Sequence, residues 1–201
     1  MKRTLALFGL CIFAAIILLS SCFYPETFNA TLNIDKSGSY SFLFDGTLAF
    51  FTFEQEKDEP LLNDKDPQKI KELEEELKKD PNFQEVKYSG KGRFKVHYRQ
   101  EGAIKPNTKI TLLGKSCEIV HIRPIQPGQV LIKGANLDEV DIEYLKKLNF
   151  RLAGKLSITT TAKVIRQNAD RSPWFFGLSG AYEWEFSLSP FPAPWMLLQL
   201  E

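Results

Sequence analysis

Four alternating residues, Arg93, Lys95, His97 and Arg99, are the polar group in this sequence best suited to binding chemistry. On an extended strand they share one face about 6.5–7 Å apart, where they could meet an anionic lipid headgroup, a phosphate or a charged polysaccharide. Lys87 and Lys91 could extend the row, and the interleaved Phe94, Val96 and Tyr98 would hold the strand to a core. The same alternation also describes an ordinary solvated sheet face whose charges discourage edge pairing, and that reading is favoured.

Other chemistries find poorer material. His97 and His121 are far apart, with no carboxylate at ligand spacing, so no metal site is expected. No serine sits in a nucleophile elbow or triad context. Asp and Glu are plentiful, but nothing selects an acid–base pair. No Gly-rich phosphate loop follows a strand and opens a helix. The expectation is a protein without enzymatic activity or cofactor. Lys plus Arg number 26 against 25 Asp plus Glu, which removes the electrostatic argument for a nucleic-acid partner.

The thiol of Cys22 is a different matter. Lys2 and Arg3 precede an apolar run from Leu5 to Leu19 that is short for a membrane span, which needs about 20 residues. A charged start, a short apolar stretch and small residues before a cleavage point make a secretory signal. Leu19-Ser20-Ser21-Cys22 closes it and resembles the lipobox of bacterial lipoproteins. That resemblance implies a diacylglycerol on Cys22 and cleavage before it, with the new amine often acylated too. One chain anchors only marginally, whereas two or three hold a protein stably to a membrane. Phe23 rather than Asp follows the Cys, which by the lipoprotein sorting rule implies the outer membrane if the host is Gram-negative. The protein would then be membrane-bound, facing the periplasm or the cell exterior.

The expected organisation is a signal peptide over 1–21, a lipidated tether over 22–27 and a single domain over 28–201. Losing Lys2 and Arg3 takes the formal charge from +1 to −1. Of the three cysteines only Cys117 would remain free, and its apolar neighbours suit a small core residue.

The elements that must position these groups follow from periodicity. Ala30 to Asp35 and Tyr40 to Phe53 read as a hairpin around Asp35-Lys36-Ser37-Gly38, with Phe51 and Phe53 out of phase, as for a bulge or a strand buried on both sides. Asp66-Pro67 opens a helix with Ile70, Leu73 and Leu77 as its apolar stripe and Glu74/Lys78 and Glu75/Lys79 as ion pairs. Gln84 to Tyr88 and Arg93 to Gln100 are strands, and a short one fits Lys109 to Leu113. Cys117 to Arg123 and Gln129 to Lys133 are strands separated by Pro124 and Pro127-Gly128. Asn136-Leu137-Asp138-Glu139 suits a helix start, with Val140, Tyr144, Leu145 and Leu148 as the stripe. One long strand is expected over Arg151 to Ile165, and another over Tyr182 to Leu188. The apolar C-terminus, Ser189 to Leu198, could cover the core, add a last strand or present Trp195 to a membrane or partner, and packing is the favoured role.

The predicted fold class is α+β, a mainly antiparallel sheet with two helices on one face, in the order ββαββ-ββαββ. That repeat of order suggests a duplication, although the halves show no residue-level similarity.

The outline resembles the LppM-like domain of bacterial lipoproteins. The residues that carry the resemblance are Cys22, the hairpin Leu32-Asn33-Ile34-Asp35-Lys36-Ser37-Gly38, the stretch Val164-Ile165-Arg166-Gln167-Asn168-Ala169, and the aromatic strand with Trp184. The resemblance implies an α+β fold, and some members of that family are implicated in binding envelope glycolipids. Many also end in a membrane helix, which this sequence lacks. The expected function is a lipid-anchored, non-enzymatic envelope lipoprotein that scaffolds or binds a partner, held to the membrane through Cys22. The alternative is a carrier or sensor of an anionic or amphipathic envelope lipid, with Arg93, Lys95, His97 and Arg99 taking the headgroup.

Overall fold

The first described elements form a long hairpin, β1 (Cys22–Ile34) paired antiparallel with β2 (Ser39–Phe51). Asp35 makes the turn. Its Oδ1 accepts from the backbone N–H groups of Ser37 (2.8 Å) and Ser39 (3.0 Å), while Gly38 takes a φ of 85°. The structure, a computed structural model, describes residues 22–51, 62, 64–114, 117, 119–135, 139–147, 149–174, 180–189 and 192–201. The expected signal over 1–21 and the helix-starting Asn136-Leu137-Asp138 lie outside the described residues.

After the hairpin come α1 (Pro67–Lys78), β3 (Phe83–Gly90), β4 (Arg93–Ala103), β5 (Ile110–Leu112), β6 (Val120–Gln126) and β7 (Gln129–Gly134). Then follow α2 (Glu139–Lys147), β8 (Ala153–Thr160), β9 (Lys163–Gln167), β10 (Tyr182–Ser187) and β11 (Trp195–Gln199). Six strands form one sheet in the order β10-β8-β1-β2-β4-β3, and five form a second in the order β5-β6-β7-β11-β9. All neighbours are antiparallel except β1 and β8.

The apolar alternation of each strand turns one face inward. Tyr40, Phe42, Phe44, Leu48 and Phe50 of β2 join Phe94, Val96 and Tyr98 of β4 in a core shared with Val130, Ile132, Met196 and Leu198 of the second sheet. Full burial of each such side chain contributes roughly 1.5–3 kcal/mol. The rings pack on one another: Phe23 against Phe94 at 5.7 Å, Phe28 against Phe44 at 5.4 Å, and Phe83 against Tyr98 at 4.8 Å between centroids. In register, Phe28 faces Gly46 of β2 and Gly154 of β8, and its ring occupies the space above Gly154 that any Cβ would fill.

Helix α1 starts as its sequence dictates. Asp66 accepts from the Lys69 N–H at 3.0 Å and Pro67 sits in the first turn. Leu73 and Leu77 enter the core, and Glu74 accepts the Tyr88 N–H at 2.7 Å, covering part of the open edge of β3. Glu74 and Lys78 pair at 3.9 Å, but Lys79 turns to Glu76 and Glu75 to Lys71.

Several expectations are corrected. The chain is mainly β, a two-sheet α+β arrangement, and not ββαββ-ββαββ on one sheet. Its first half lies entirely in the six-stranded sheet, whereas the second half is divided between both sheets, so no duplication is seen. The long strand over Arg151 to Ile165 is two strands in different sheets. Its in–out phase runs on, but the chain turns at Thr161-Ala162, where Thr160 Oγ1 accepts the Ala162 N–H and Thr161 donates to the Ile34 carbonyl. The helices do not share a face: Leu145 of α2 packs with Ala49 and Phe150, and Ala49 lies between the inward-facing Leu48 and Phe50 of β2. That end of β2 is buried on both sides, and the bulge lies in β1 between Pro25 and Thr27. Residues 22–27, expected as a tether, belong to β1. Finally, β6 runs through Pro124, which has no partner on β5, so its missing N–H interrupts no ladder there. The C-terminus becomes β11, an inner strand with Met196 and Leu198 fully buried.

Candidate functional site

Arg93, Lys95, His97 and Arg99 lie on the outward face of β4, because Phe94, Val96 and Tyr98 are drawn into the core. The row is there, but three of its four members meet a carboxylate, on β1, on β2 or on β4 itself. Arg93 donates to both carboxylate oxygens of Glu26, from Nε at 2.6 Å and from Nη2 at 2.7 Å. Glu26 is the extra residue of the β1 bulge, and its side chain is only 8% exposed. A bulge commonly re-aims a side chain, and here it sends a carboxylate to a guanidinium two strands away. The bond to Glu26 raises the Arg93 pKa above its ordinary value.

His97 Nδ1 bonds to Asp45 of β2, its register partner. Arg99 donates to Glu101 from Nε at 3.0 Å and from Nη2 at 2.6 Å. Lys95 stands between Thr47 of β2 and Lys87 of β3. Farther across the same outward face, Lys155 meets Glu183 at 2.5 Å, and Arg171 meets both Glu183 and Glu185.

Two part-buried polar clusters tie the elements together. Asn168, at the end of β9, accepts on Oδ1 from the Trp184 indole at 2.9 Å and from the Trp195 N–H at 2.8 Å. Its Nδ2 donates to the Ala193 carbonyl at 2.9 Å, so one amide links the two sheets. In the second cluster, Tyr98 Oη donates to Gln100 at 2.8 Å with Asp80 at 3.4 Å, and Gln100 donates to Tyr40 at 3.1 Å. Burial, followed by the Asp80 carboxylate, holds the Tyr98 phenol well above its ordinary range.

Cys22 is the first residue of β1, opposite Phe51. Cys117 is buried, as its apolar setting implied. His97 and His121 lie on strands of different sheets. Among the described residues no group of three His, Cys, Asp or Glu could hold a metal ion, and no helix is long and apolar enough to cross a membrane.

Alternation within one strand missed a second cationic group. Arg123, Lys133, Lys163 and Arg166 all lie on the outward face of the five-stranded sheet and are exposed, with no ion pair among the described residues. The available signal was negative: no Asp or Glu occurs in β5, β6, β7, β9 or β11.

No family model and no curated protein matches the chain. Among solved structures, the NMR structure of the folded domain of LppM from Mycobacterium tuberculosis is similar. The two are 12% identical, with 89% of this chain and 92% of that one covered and a TM-score of 0.42.

Proposed function

We propose that this chain is a lipid-anchored protein of the bacterial cell envelope, acting without catalysis as a scaffold or partner-binding module. The observation that carries the reading is the place of Cys22. Among the described residues, Cys22 pairs with Phe51 as part of β1 and closes Leu19-Ser20-Ser21-Cys22, so the residue that would carry lipid is itself held in a strand of the folded body. Acylation there would hold the body close to the bilayer, with no linker between the lipid and the first strand. The interior supports a structural role, since the inward rings of the six-stranded sheet pack against one another.

Detergent phase partition of the full chain expressed in a bacterium tests this. The parent protein should enter the detergent phase, and Cys22→Ala should give soluble or unprocessed protein. A Cys22→Ala protein that is cleaved and still partitions into detergent would overturn the reading.

A further inference from the structure

The two outward sheet faces differ in how they treat charge. On the six-stranded sheet, Arg93, His97, Arg99 and Lys155 each have a carboxylate partner. The five-stranded sheet has no acidic residue in any strand, and its cations frame an apolar centre.

Register gives the layout. Arg166 of β9 faces Leu197 of β11, Leu197 faces Leu131 of β7, and Leu131 faces Arg123 of β6. That row reads cation, Leu, Leu, cation across four strands, about 14 Å from end to end at the usual strand spacing. The neighbouring row places Trp195 beside Lys133, and Lys163 lies one step to the other side, opposite Gln199. These side chains point outward because Val130, Ile132, Met196 and Leu198 between them are buried in the core. Ile165, the extra residue of the β9 bulge, is itself exposed.

Four like charges around half-buried leucines and an indole suit a surface that is anionic outside and apolar beneath. A bilayer with anionic headgroups has that profile, since phosphates attract Lys and Arg while Trp and Leu lie at the headgroup–acyl boundary. A second copy of the chain fits poorly, because a two-fold contact would set these cations against one another. A nucleic-acid backbone would leave Leu131 and Leu197 without an apolar partner.

We infer that the outward face of the five-stranded sheet docks on an anionic lipid bilayer, with Arg123, Lys133, Lys163 and Arg166 at the phosphates and Leu131 and Leu197 against the interface. The contact needs no acylation of Cys22, so it stands or falls separately from the anchor.

Vesicle flotation tests it with residues 22–201 carrying Cys22→Ser, a chain that contains every described element and all their pairings. A cooperative melt is checked first. The protein should float with phosphatidylcholine vesicles containing phosphatidylglycerol at low salt, and far less with phosphatidylcholine alone. R123Q/K133Q/K163Q/R166Q should lower partitioning at least about tenfold, given the attraction of each cation near an anionic surface. K87Q/K95Q/R99Q/K155Q, which removes the same charge from the other sheet, should leave it nearly unchanged. Should the first set fail to fold, the edge-strand pair K163Q/R166Q should still give a several-fold loss. Leu131→Ser should weaken the binding that remains at high salt. Absence of flotation, equal losses for both charge sets, or equal binding by parent and sheet variant would overturn the inference.

Discussion

Adding one methyl group at Gly154 should destabilise this protein, and the loss should depend on Phe28. A Cβ at Gly154 would lie 2.2 Å from Phe28 Cε1, 2.3 Å from Cζ and 2.6 Å from Cδ1. The ring cannot easily retreat, because Phe44 and Phe186 stand at 5.4 and 5.3 Å on its other contacts. Where the space is open, Gly→Ala stabilises by about 0.4–1 kcal/mol through the unfolded chain. Here overpacking should reverse the sign and cost about 1–3 kcal/mol. Phe28→Ala should cost about 3–5 kcal/mol through the cavity it leaves. In the double variant the new methyl enters that cavity, so the combined loss should fall short of the sum by about 1–3 kcal/mol. Urea denaturation of the four proteins measures the cycle. A neutral Gly154→Ala, or losses that add within about 0.5 kcal/mol, would refute the packing argument.

Three further outcomes follow from the polar clusters. Asn168→Ala leaves the Trp184 indole and the Trp195 N–H without their acceptor and should cost about 2–4 kcal/mol in thermal or urea melts, whereas Asn168→Asp keeps the acceptor and should cost less; equal losses would contradict the hub. Tyr98 has its folded pKa raised by burial and by Asp80, so its contribution is complete below the ordinary value of 10.0 and is lost as pH rises above it. Tyr98→Phe should therefore shallow the decline of stability at alkaline pH, and an unchanged slope would count against it. In the β4 row, Arg93→Gln strands a buried Glu26 and should cost about 1–3 kcal/mol, while Lys95→Gln and Arg99→Gln should stay within about 0.5 kcal/mol. Equal effects in chemical denaturation would show that the Glu26 pair is not special.

Local chemistry was readable wherever one short segment settles the matter. Asp35 and Gly38 make their turn, Asp66-Pro67 opens α1, and the alternations of β4 and β10 each bury the aromatic side. Alternation says which side chains face inward, but not which sheet receives them. The phase through Thr161-Ala162 is unbroken, so only the tertiary structure reveals that the chain changes sheets there. The fate of the cationic row was hidden for a related reason. Its carboxylates Glu26 and Asp45 lie on β1 and β2, and Glu26 reaches Arg93 only because a bulge redirects it. The uncompensated cations were legible in principle as an absence of acids, but that pattern acquires meaning only once β6, β7, β9 and β11 are known to lie side by side.

The proposed membrane anchoring of this protein depends on a lipid carried by Cys22 in β1. Mass spectrometry of the N-terminal peptide from protein purified out of bacterial membranes tests that directly. The expected peptide begins at Cys22 and carries the mass of a diacylglycerol thioether, with or without an amide-linked acyl chain. A peptide that begins elsewhere, or an unmodified Cys22 on membrane-extracted protein, would contradict it.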